Sequence, residues 1–76
     1  MTQHELAIER ALSDAEQQIE QGTMCKLSEE CPEDHENFHT LALLYSDDDG
    51  GEIEDPEQCQ ADIYAALESK FPEYAK

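Results

Sequence analysis

The sequence predicts a mainly helical fold, a small bundle of three main helices. Apolar residues recur at helical spacing in separate segments, two segments carry clear N-terminal cap signals, and the chain contains no Val. Thr2 stands three residues before Glu5, the spacing of a capping box, and Gly22 supplies a C-terminal stop, so a first helix is expected over residues 2–21. Its apolar face reads Ile8, Leu12, Ala15 and Ile19. A third helix is expected over 55–71: Asp55 caps, Pro56 suits the first helical position, and Gln58 completes the box. Cys59, Ile63, Ala66, Leu67 and Phe71 make its stripe, ended by Pro72.

The middle of the chain fits two patterns. Phe38, Leu41, Ala42 and Tyr45 share a helix face, whereas His39, Leu41, Leu43 and Tyr45 share one face of a strand. Thr40 is the only β-branched residue from Pro32 to Ser46, and Pro32 followed by Glu33 and Asp34 is a good helix start. A second helix over 32–46 is therefore expected, the alternative being an α+β arrangement with 38–46 as a strand. An irregular or helical turn containing Met24, Cys25 and Leu27 bridges the first two helices, and an acidic loop from Asp47 to Glu54 bridges the last two.

All 76 residues are expected in one domain, because a chain this short buries only roughly 60% of the surface its unfolded form exposes. Leu, Ile, Val and Phe number 13, a composition that with a net charge of −16 borders on disorder. The capped, periodic segments argue for a marginal fold instead. No apolar run approaches 18 residues and no basic stretch precedes an apolar one at the N-terminus, so a cytoplasmic protein without a membrane span is expected. Three Cys leave any disulfide scheme with an orphan thiol, which favours reduced side chains.

Charge carries the functional expectation. Twenty Asp and Glu stand against four Lys and Arg, and Leu27–Ser69 contains 14 of those acids and no Lys or Arg. They concentrate in Glu29, Glu30, Glu33, Asp34 and Glu36, and again in Asp47, Asp48, Asp49, Glu52, Glu54, Asp55 and Glu57. Such a chain has nothing with which to hold phosphate backbones or anionic lipid. A globule of this length is roughly 30 Å across. Its net charge then averages about one per 2 Å, close to the one per ~1.7 Å of duplex DNA. An acidic protein of that density can occupy the basic groove of a nucleic-acid-binding protein or complex and gain the counterion release that DNA gains. The expected function is thus an acidic inhibitor or nucleic-acid mimic, of which a phage-encoded inhibitor of a host CRISPR or restriction system is an example by type; no family motif is visible. Tyr64 and Tyr74 are candidate desolvated anchors within such an interface. A solvated acidic face that only keeps the chain soluble is the competing reading.

Cys25, Cys31, His35 and His39 contain the ligand types of a zinc site, and a small regulatory zinc module is the alternative function. The intervals of five, three and three residues are not those of a finger. A calcium loop centred on Gly51 fails at its first and fifth positions, Ser46 and Gly50, which lack carboxylate or amide oxygens. No phosphate loop or nucleophile signature points to an enzyme, and no cofactor is expected.

Self-repulsion among the carboxylates opposes compaction and is screened over ~8–10 Å at ordinary ionic strength. The thermal midpoint is therefore expected to rise as salt is added, measured by circular dichroism; a midpoint indifferent to salt would contradict this.

Overall fold

A computed structural model describes residues 2–47 and 53–75. Helix α1 spans Gln3–Gln21, α2 Phe38–Ser46 and α3 Pro56–Lys70, and a 3₁₀ turn follows over Pro72–Ala75. The bundle is up-down-up. His4 meets Asp62 and Lys70 approaches Glu16, so α1 and α3 run parallel. Phe38 packs on Phe71 while Ser46 lies near Pro56, so α2 runs antiparallel between them in sequence. All three helix pairs are in contact.

The two strong cap signals operate as read. The Thr2 hydroxyl accepts the Glu5 N–H at 3.1 Å, and the Asp55 carboxylate accepts the Gln58 N–H at 3.2 Å. Gly22 closes α1 at φ 77°, a left-handed conformation in which any side chain would be strained. The Gln58 side chain does not turn back to its cap; it donates forward to Asp62 at 2.9 Å. Asp62 also receives His4 Nε2 at 2.6 Å. The Gln58 amide first, and His4 second, hold the Asp62 carboxyl below its ordinary range, tying α1 to α3.

The second helix is shorter than the sequence suggested. It begins at Phe38, not Pro32, because Glu36 is drawn into an isolated parallel bridge with Met24. Glu36 N–H donates to Thr23 O at 3.2 Å, and Cys25 N–H donates to Glu36 O at 2.9 Å. That extended residue cannot be helical, and Pro32 starts only a turn closed by His35 N–H to Pro32 O. Asn37 is the true cap: its side-chain oxygen accepts the Thr40 N–H at 2.9 Å and the Thr40 hydroxyl at 3.0 Å. Residues 38–46 do not form a strand, since their helical face is the one that meets the core.

Phe38, Leu41, Ala42, Cys59, Ile63 and Leu67 form the buried centre with Met24 and three alanines of α1. Ala15 is buried as expected, but Ala7 and Ala11 correct the rest of the expected α1 face: Ile8, Leu12 and Ile19 are only partly buried and flank the contact. Small side chains along the middle of α1 let its backbone approach two helices at once, and the larger ones seal the edges. The C-terminal turn adds a lid. Tyr74 sets its ring 6.3 Å from that of Phe38 and accepts the Leu27 N–H on its carbonyl, binding the 22–37 segment to the bundle.

Tyr45 ties α2 to α1, its hydroxyl donating to Asp14 at 2.7 Å. Burial, and then the Asp14 carboxylate, push the phenol up to about 12, so it remains a neutral donor through the physiological range.

Because Ala11 is wholly buried, Ala11→Leu is expected to cost about 1–3 kcal/mol by overpacking, read from urea unfolding. A neutral result would mean that the alanine row does not set the helix approach.

Candidate functional site

The acidic block that is continuous in sequence is divided by α2 into two groups, one at each end of that nine-residue helix. At a rise of 1.5 Å per residue, α2 is about 13 Å long. At its start, the 22–37 segment exposes Glu29, Glu30, Glu33 and Asp34. Glu36 is set apart from them: half-buried, it accepts the Gln18 amide at 3.2 Å while its backbone makes the bridge to Met24. Gln18 also meets the Thr23 hydroxyl through its side-chain oxygen, so this corner is fixed by polar contacts on both sides.

At the other end of α2, Asp47, Glu54, Asp55 and Glu57 are exposed. Asp47 terminates α2 with its N–H on Leu43 O, and Asp55 caps α3. Asp48, Asp49 and Glu52 lie outside the described residues, as do Gly50 and Gly51 of the calcium pattern. Ion pairs among the described residues are His4–Asp62 and Lys70–Glu16. None of the eight exposed acids of the two groups is neutralised by a described cation, so their charge faces outward.

The two tyrosines have different surroundings. Tyr74 belongs to the Phe38 end of α2, away from Asp47, where its ring and carbonyl serve the fold. Tyr64, midway along α3, is half-buried against the core. Leu43 and Leu44 are the large apolar residues left exposed among the described residues, and both precede Asp47 by one helical turn.

Of the four zinc candidates, the structure brings two together. Cys25 is buried and Cys31 exposed, and their thiols are near enough to interact. His35 is half-buried in the Pro32 turn, and His39 is exposed on α2. Among the described residues no group of three or more His, Cys, Asp or Glu is placed to hold a metal ion. The contact with Cys31, burial, and the negative field of Cys31, Glu29 and Asp34 push the Cys25 thiol up to about 11. Burial also raises Cys59. Nothing in the sequence interval of Cys25 and Cys31 signals their contact; the Met24–Glu36 bridge folds the segment back and produces it.

A concavity of about 630 Å³ opens between the starts of α1 and α3 and is lined by Thr2, Gln3, His4, Glu54, Asp55 and Gln58. Its His4 is engaged with Asp62, its Gln58 side chain with Asp62, and its Thr2 and Asp55 with helix caps, so these four serve the fold. No helix among the described residues is long and apolar enough to cross a membrane. No protein family, curated protein or solved structure matches this chain.

Alkylation kinetics test the thiol arrangement. The thiolate is the reactive form, so a thiol titrating near 11 reacts slowly at neutral pH and faster as pH rises. Cys31 is expected to label first in the native protein near pH 7.5, with Cys25 and Cys59 protected until denaturant is added. Labelling of all three at one rate would contradict this placement.

Proposed function

We propose that this protein is a non-enzymatic acidic ligand for the basic, nucleic-acid-binding surface of a protein or complex, and acts by denying that surface to nucleic acid. The observation that carries the reading is the charge: −16 on a body whose longest extent is 32 Å. That is about one net charge per 2 Å, against one per ~1.7 Å along duplex DNA. Asp47 and Asp55 stand at helix ends, and the segment that carries Glu29, Glu30, Glu33 and Asp34 is fastened at Met24, Leu27 and Glu36, which supports a fixed spacing of charge. A rigid polyanion pays less ordering entropy on binding than a flexible acidic tail. The setting consistent with this reading is the cytoplasm of a bacterial or phage-infected cell. An inhibitor of a host CRISPR or restriction complex is the leading case within the class.

The partner is sought by passing a nuclease-treated bacterial lysate over the immobilised protein and eluting with a salt gradient. One dominant nucleic-acid-binding complex released well above physiological salt supports the proposal; a diffuse set of basic proteins leaving at low salt reduces the charge to solubility. With the partner in hand, combined Asp47→Lys, Asp48→Lys and Asp49→Lys reversal is expected to slow association by about tenfold at low salt and less at high salt. Equal loss at every salt concentration would contradict an electrostatic mechanism.

A further inference from the structure

Leu43 and Leu44 are 47% and 55% exposed. In most proteins an isolated surface leucine needs no account, but this chain is short of large apolar residues and fills four of its buried core positions with Ala7, Ala11, Ala15 and Ala42. Two of its seven leucines are nevertheless adjacent on the outside of α2, the helix that separates the two acidic groups. Leu43 also borders an open concavity of about 420 Å³ between the end of α2 and the start of α3, shared with Ser46, Asp47, Pro56, Glu57 and Gln60. Apolar surface is thus set directly beside exposed carboxylates, the arrangement of an interface with an apolar centre and a charged rim.

The charge selects the occupant. A second copy would bring another −16 and oppose the acidic rim of one protomer to that of the other. Nucleic acid and anionic lipid are repelled for the same reason. What fits is a surface that is apolar along one line and cationic on both sides of it. We propose that Leu43 and Leu44 anchor a docking surface for a cationic amphipathic helix of a protein partner, whose apolar side chains cover the two leucines while its Lys and Arg reach Asp47 and Glu57. This deepens the reading of the protein as a ligand for a basic surface and rests on it. Charge then supplies encounter and orientation, and the leucine pair supplies the desolvated contact that slows dissociation.

The test uses two synthetic helical peptides of equal positive charge, one with Leu along a single face and Lys flanking it, the other with each Leu replaced by Gln. Binding to the full chain is followed by fluorescence anisotropy at low and high salt. The wild type is expected to prefer the Leu peptide by roughly tenfold or more, and the preference is expected to persist at high salt. The Leu43→Ser, Leu44→Ser double variant, checked for an unchanged circular dichroism spectrum, is expected to bind both peptides as the wild type binds the Gln peptide. Equal wild-type affinity for the two peptides, or a preference that survives in the variant, overturns the anchor and leaves the charge reading standing. Failure of both peptides to bind even at low salt overturns the charge reading with it. Wild-type self-association that the variant abolishes assigns the patch to a second copy and also overturns the proposal.

Discussion

The whole molecule depends on holding 16 net negative charges together with a small core, ten buried side chains among the described residues. Repulsion grows with every carboxylate brought into the globule, whereas the apolar area available to oppose it is limited by 76 residues. The fold meets this constraint by close approach. Alanines at the centre of α1 bring three helices near enough for Phe38, Leu41, Ile63 and Leu67 to be fully buried. Carboxylates that lie inward are used as acceptors: Asp14 takes Tyr45, Asp62 takes Gln58 and His4, and Glu36 takes Gln18. The other described carboxylates are exposed, Asp55 capping α3 and Glu16 lying near Lys70.

Phe38 is where these devices meet. It opens α2 directly after the Asn37 cap, sits wholly buried between Phe71 and Tyr74, and stands two residues after Glu36, which bridges back to Met24. A side chain in that position connects the end of α3, the terminal turn and the 22–37 segment. The exposed acids Glu29, Glu30, Glu33 and Asp34 therefore project from a segment fastened at Met24, Leu27 and Glu36.

How much was legible follows from the range of the interaction concerned. Caps are local, so Thr2, Gly22, Asp55 and Pro56 announced α1 and α3 to within a residue. Helical spacing fitted α2 no better than a strand, and the scarcity of β-branched residues tipped the reading to a helix with Phe38, Leu41 and Ala42 on its inner face. The start of α2 was misplaced because Pro32 is a stronger local signal than Asn37, and the bridge that keeps Glu36 extended involves a residue twelve positions away. The α1 face was rotated for a similar reason: periodicity ranks Ile above Ala, but a helix with two neighbours needs its smallest residues at the closest approach. The Cys25–Cys31 contact and the role of Tyr74 in the core are products of tertiary folding with no spacing signature.

The division of the acidic block changes what charge density means here. Averaged over the molecule, the spacing resembles that of DNA, but the described exposed acids of that block form two groups with α2, about 13 Å long, between them in the chain. Duplex DNA presents its phosphates in two continuous rows, so a groove that follows one backbone would meet this protein as two charged contacts with a less charged stretch between them. That stretch includes His39, Thr40, Leu43 and Leu44, all exposed and none acidic. A partner that only counted charge would gain nothing there. A partner with an apolar ridge between basic side chains would gain there what nucleic acid does not provide, and discrimination in favour of the protein over the nucleic acid it displaces would come from that gap.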